Sequence, residues 1–183
     1  MSGSHGEAHP IFTVGHSTRS IEEFVDLLRA GGVQQLVDVR SIPRSRTNPQ
    51  YNLDALPDAL AAFQIAHMII PELGGRRSRQ RTAAPEVNGY WHNQSFHNYA
   101  DYAMSEEFRF GLDRLAALSL AAPTAIMCSE AVWWRCHRRI IADYLLFGGR
   151  RVLHLMSKDR VEPAKITPAA TCHGGVLRYP RIG

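Results

Sequence analysis

Two short apolar runs separated by one amphipathic stretch constrain the fold of this chain more than any other feature. Ile11-Phe12-Thr13-Val14 has the length and branching of a buried strand. Ser20, with Glu23 three residues on, is a capping-box signature for the helix that follows. Ile21, Phe24, Leu27 and Leu28 line one side of that helix, and Gly31-Gly32 stops it. Leu36-Val37-Asp38-Val39 is then a second buried strand. Strand, helix and strand in succession make a βαβ unit, which requires parallel strands.

The pattern repeats. Residues 53–63 read as a helix with Pro57 in its first turn, and residues 66–70 as a third strand. Residues 98–117 read as one helix, 124–128 as a fourth strand, 135–147 as a helix ended by Gly148-Gly149, and 152–155 as a fifth strand. These elements predict a three-layer, single-domain α/β fold over residues 11–183, Rossmann-like, with a mainly parallel five-stranded sheet. The 183 residues, 45% of them hydrophobic, suffice for one real core. Residues 1–10 read as a disordered polar tail, and residues 76–98 as an irregular insertion rich in arginine and aromatics. Neither the glycine fingerprint of a dinucleotide site nor a phosphate-binding P-loop motif occurs, so the sequence implies no cofactor.

Composition excludes some classes. No apolar run approaches the roughly 18 residues of a membrane span, so no membrane partner is expected. The three cysteines, 128, 136 and 172, do not form an even disulfide set. A cytoplasmic location is the resulting expectation. Net charge is only +4, but basic residues are clustered and only two of them, Lys158 and Lys165, are lysines. Arginine pairs bidentately with phosphate. That bias fits a phosphate-bearing small molecule or nucleic acid, and equally a genome that prefers arginine. Oligomeric state is not readable.

In open parallel sheets, ligands bind beyond the carboxyl ends of the strands. The polar residues of this chain gather there. Gly15-His16-Ser17 follows the first strand, Asp38 and Arg40 end the second, Gly74-Gly75-Arg76 follow the third, and Cys128-Ser129-Glu130 end the fourth. Cys128 and Glu130 are the reactive candidates, as nucleophile and as general acid or base. His16 can serve as base or anion donor, and Asp38 as base or as orienter of Arg40. Ser17, Arg40, Arg44, Arg46, Gly74, Gly75, Arg76, Arg135, His137 and Arg138 are the binding candidates. Each has a plainer reading beside it. A buried cysteine is commonly a small apolar filler, Asp38 with Arg40 is a structural ion pair, and Arg44 and Arg46 belong to a solvated loop. Aromatics near the arginines, Trp133 and Trp134 above all, suit either base stacking or covering the sheet edge.

Spacing narrows the chemistry. A cysteine-phosphatase loop needs five residues between cysteine and arginine, whereas Cys128 and Arg135 enclose six and include Glu130. Cys128, Cys136 and His137 could ligate zinc, with Cys172 or His173 as a fourth ligand, but a wide 128-to-136 gap and adjacent ligands diverging around a helix argue against it.

The combined set Thr13-Val14-Gly15-His16-Ser17, Asp38-Val39-Arg40-Ser41-Ile42-Pro43-Arg44-Ser45, Leu73-Gly74-Gly75-Arg76, and Cys128-Ser129-Glu130 followed by Cys136-His137-Arg138 resembles the DUF488 family of uncharacterised proteins. The resemblance implies a small α/β domain with a polar site at the strand ends. Three functions stay open: an enzyme acting on a phosphate-bearing nucleotide or nucleic acid, a non-catalytic nucleic-acid or nucleotide binding module, and a metal-binding protein using cysteine and histidine ligands.

Overall fold

The computed structural model describes residues 7–183, so most of the tail, His5 included, lies outside the described residues. The βαβ start is as the pattern requires. β1 (Ile11–Gly15) leads through α1 (Ile21–Ala30) to β2 (Gln35–Asp38). Ser20 accepts from the Glu23 amide while the Glu23 carboxylate accepts from the Ser20 amide, a complete capping box. α2 (Leu56–Ala61) carries Pro57 in its first turn and leads to β3 (Ala66–Ile69).

The expected helix over 98–117 is two helices, α3 (Gln94–Tyr102) and α4 (Glu106–Ala121). Ser105 separates them by accepting from the Phe108 amide, and Glu106 and Glu107 follow in the first turn. β4 (Thr124–Cys128) comes next, then a 3₁₀ turn (Trp133–Arg135) and α5 (Arg138–Phe147). α5 starts three residues later than the apolar period suggests, because Cys136 is extended, with φ −126° and ψ 146°. β5 (Val152–Ser157), β6 (Arg160–Pro163) and a hairpin of β7 (Thr171–His173) and β8 (Val176–Arg178) complete the chain.

The main sheet has six strands in the order β3-β2-β4-β1-β5-β6. Five are parallel, as expected. β6 is the addition, an antiparallel edge strand. Arg160-Val161-Glu162-Pro163 escaped the apolar criterion because it is a polar, mostly exposed edge. Among the described residues, no helix is long and apolar enough to cross a membrane.

Strand alternation splits the core into two layers. Phe12, Val14, Leu36, Ala125 and Met127 face the α1–α2 side, where Phe24, Leu28, Leu56 and Leu60 are fully buried. Ile11, Val37, Ile126 and Cys128 face the α3–α4–α5 side, against Tyr99, Phe108, Ile140 and Ile141. β1 and β4 are neighbours, with Gly15 opposite Cys128. Their following helices cover opposite faces, so the chain parts at this point. That is the crevice in which open α/β sheets bind ligands. Leu28, at 0% exposure, anchors the α1 side. Leu28→Ala is expected to cost about 2–5 kcal/mol, measured by denaturant unfolding. A cost below about 1 kcal/mol would contradict this packing.

Candidate functional site

A cleft of about 820 Å³ opens at the carboxyl ends of β1, β2 and β4. Its walls come from the loops after β2, β3 and β4. Of the sequence candidates it brings together His16, Arg40, Arg44, Gly75, Arg76, Cys128, Glu130, Arg135 and His137. Ser17 sits in a separate shallow depression beside Ser129 and Glu130. Arg46 lies outside the main cleft, near Ile42 and Arg44. Gly74 is buried against Ser41, whose hydroxyl accepts from the Arg76 amide at 2.8 Å.

Asp38 and Arg40 form the deep wall. The Asp38 carboxylate is 0% exposed and accepts from Arg40 Nε at 2.9 Å, Arg40 Nη2 at 2.6 Å, the Arg40 amide at 3.1 Å and His67 Nε2 at 3.3 Å. Burial alone would raise its pKa, but the hydrogen bonds from Arg40 and His67 bring it below the usual carboxylate value. The carboxylate is therefore consumed in structure. Arg40 also donates to the Tyr51 carbonyl at 2.8 Å and reaches His16 Nε2 at 3.4 Å.

His16 stacks on Tyr51 at 4.0 Å. Its Nδ1 donates to the Ser17 carbonyl at 2.8 Å, so Nε2 keeps the lone pair and accepts from Arg40. Burial and the facing Arg40 lower its pKa to about 4, against the Ser17 hydrogen bond that raises it. The ring is neutral at ordinary pH, with its lone pair turned to Arg40. Gly15 lets the loop after β4 pack directly on the end of β1, since a Cβ there would lie 1.8 Å from the Glu130 carbonyl oxygen.

Cys128, Cys136 and His137 form the floor. Cys128 Sγ, Cys136 Sγ and one His137 ring nitrogen lie within 4.8 Å of one another. The objection that neighbouring ligands diverge around a helix does not apply. Cys136 is extended and His137 occupies the N-cap, so both precede α5. His137 Nδ1 is 3.5 Å from Cys136 Sγ. His137 Nε2 donates to the Val39 carbonyl at 2.8 Å, which leaves Nδ1 with its lone pair toward the sulfurs. Gly75 makes room for the ring, because a Cβ there would meet Nδ1 at 2.4 Å.

Arg138 lies behind this floor, 1% exposed and outside the cleft lining. Its Nη2 donates to the Glu130 carbonyl at 2.6 Å, its Nη1 to Thr13 Oγ1 at 3.4 Å, and its Nε to Cys136 Sγ at 3.2 Å. The Arg138 amide also points at Cys136 Sγ, at 3.5 Å. Among the described residues no carboxylate pairs with this guanidinium. A buried cation needs a counter-charge, and the sulfur it contacts is the group able to supply one. Burial resists ionisation of Cys136, but the Cys128 thiol and Arg138 outweigh it and bring the pKa down to about 6. Cys128, sharing its proton with that sulfur and buried, is pushed up to about 12. Both Arg138 contacts reach Cys136 rather than Cys128, so Cys136 is the sulfur whose thiolate form this buried charge favours.

Thr13 and Glu162, two members of the network around this site, carried no sequence signal strong enough to single them out. Thr13 Oγ1 lies 2.6 Å from His154 Nδ1, and His154 stacks on Trp133 at 4.6 Å. Trp133 Nε1 in turn donates to Glu162 at 3.3 Å. Trp133 is therefore committed to sheet-edge packing, while Trp134 is 44% exposed. Thr13 is a lone hydroxyl inside an otherwise apolar buried strand, which was the available clue.

These features define an α/β protein with a cysteine- and histidine-floored cleft at its switch point. Its family follows from residues 20–145, which match the model for a domain of unknown function, DUF488. The chain belongs to that family. No curated protein and no solved structure matches it.

Two outcomes follow from this geometry. Asp38→Ala strands the Arg40 charge and is expected to cost about 3–5 kcal/mol in unfolding free energy. Because the folded pKa of Asp38 is depressed, its stabilisation is present above the unfolded value near ~3.9 and lost as pH falls through the folded one. Equal wild-type and variant stability at neutral pH would contradict it. In chelator-treated Cys172→Ser protein, ultraviolet thiolate absorbance should rise through a midpoint near 6. Arg138→Met should move that midpoint toward the free-thiol value of about 8.5, and Arg138→Lys should move it less. An unchanged midpoint in Arg138→Met would refute the pairing.

Proposed function

We infer that this chain is a metal-binding protein whose centre is Cys128, Cys136 and His137, with a thiophilic divalent ion of the zinc class as its ligand. The convergence of two sulfurs and one imidazole nitrogen within 4.8 Å carries the reading. A tetrahedral ion with sulfur near ~2.3 Å and nitrogen near ~2.0 Å holds its ligand atoms about 3.3–3.8 Å apart. The Cys136–His137 separation of 3.5 Å already fits, and a modest rotation of Cys128 completes the set.

The surroundings support the same reading. A histidine that donates its remote N–H to a carbonyl is the usual partner arrangement of a ligating imidazole, and His137 does so to Val39. The Arg138 contact favours the deprotonated sulfur that a metal requires. With three protein ligands, the fourth position faces the cleft. Such open sites polarise or activate what binds there, whereas closed four-ligand sites are structural. Glu130, half-buried, lines the same cleft and is its candidate base. A reducing, cytoplasmic setting belongs to the proposal, because both thiols must stay reduced.

The second reading, an enzyme or module acting on a phosphate-bearing nucleotide or nucleic acid, keeps one specific observation. Arg44, Arg76 and Arg135 line the cleft.

Zinc titration of metal-free protein is the test. Wild type and Cys172→Ser should each bind one ion per chain tightly, and Cys128→Ser and Cys136→Ser should lose it. Gly75→Ala, which displaces His137, should weaken binding by about 10- to 100-fold while keeping the fold. Equal zinc uptake by wild type and both ligand variants would exclude the centre.

A further inference from the structure

The cleft is polarised between its floor and its rim. Its floor is the buried Cys128 and Cys136 with half-buried His137, and Glu130 lines the same cleft. Its rim carries Arg44, Arg76 and Arg135, all exposed and on three different loops. Among the described residues none of these three guanidiniums is in an ion pair or a side-chain hydrogen bond. The contrast with Arg77 is instructive. Its guanidinium donates to the Gly74 and Pro71 carbonyls and lies over the Tyr102 ring at 3.7 Å, so it is committed to packing. Three like charges around one opening repel one another, and Glu130 is the one carboxylate lining the same space.

We propose that the cleft takes a small phosphomonoester held in one orientation, its phosphate on Arg44, Arg76 and Arg135 and its other end at the metal on Cys128, Cys136 and His137. The proposal rests on the metal reading for the floor, and on the arginines alone for the rim. A doubly charged tetrahedral oxyanion is the ligand that three separate guanidiniums satisfy, since each can donate two parallel hydrogen bonds. Ser41 and Ser129 add hydroxyl donors along the wall. An ion on two thiolates and one imidazole would carry no net positive charge and would be soft, so the guanidiniums of the rim are the stronger site for the phosphate. An anion therefore stays at the rim and presents its uncharged end to the fourth metal position. A volume of about 820 Å³ suits a small molecule, within the roughly 300–1,000 Å³ usual for such sites.

Calorimetric titration of the zinc-loaded chain with inorganic phosphate and with mercaptoethyl phosphate tests this. Phosphate should bind, and Arg76→Ala/Arg135→Ala should weaken it by about tenfold or more with zinc uptake unchanged. Arg79→Ala/Arg81→Ala removes the same charge from residues that do not line the cleft and should leave affinity unaltered. Mercaptoethyl phosphate should bind more tightly than phosphate only when zinc is loaded. Equal weakening by the two double variants would mean diffuse charge and overturn the rim assignment. No preference for the thiol-bearing ester on the zinc-loaded chain would overturn the orientation. A short oligonucleotide binding about a hundredfold tighter than either probe, with a steep salt dependence, would overturn the small-molecule class. Failure to load zinc would sink the metal reading instead, and phosphate titration of the metal-free chain would still decide the rim.

Discussion

A guanidinium sealed behind the sheet edge joins three segments of this protein. Arg138 touches the hydroxyl of Thr13 on β1, the carbonyl of Glu130 after β4, and the sulfur of Cys136 before α5. A charge so buried costs several kcal/mol to desolvate unless it is answered. The group placed to answer it is the Cys136 sulfur rather than a carboxylate. That contact falls on only one of the two sulfurs, and the same guanidinium ties the loop after β4 to the start of α5. It also favours the deprotonated form of one ligand of the proposed metal centre.

The second constraint is glycine. Gly15 and Gly75 stand where a side chain would collide, one with the Glu130 carbonyl and one with the His137 ring. Each permits a loop to pack directly against the site. Arg40 and Asp38 then close the deep wall as a buried ion pair, with His16 stacked on Tyr51 above them. The rigid part of the cleft is thus made of committed groups, and its rim of exposed arginines.

Much of this was legible in the sequence. Alternating apolar runs gave five parallel strands, and the Ser20–Glu23 spacing gave the start of α1. Strand ends located the cleft, because α/β topology gathers polar residues there. What the sequence hid was local backbone geometry. Period alone merged α3 with α4 and began α5 early, so Cys136 and His137 were read as diverging around a helix. Extended backbone at Cys136 turns them together instead. Asp38 and Arg40 were readable as a pair, but only the structure shows four hydrogen bonds on the carboxylate. β6 was missed because an exposed edge strand has no apolar signature.

The account turns on two sulfurs and one nitrogen meeting at a single ion. X-ray absorption at the zinc edge of the loaded protein measures this directly. The account predicts two sulfur neighbours at about 2.3 Å and one imidazole nitrogen at about 2.0 Å, with one further light atom. A shell of oxygen and nitrogen without sulfur would contradict it.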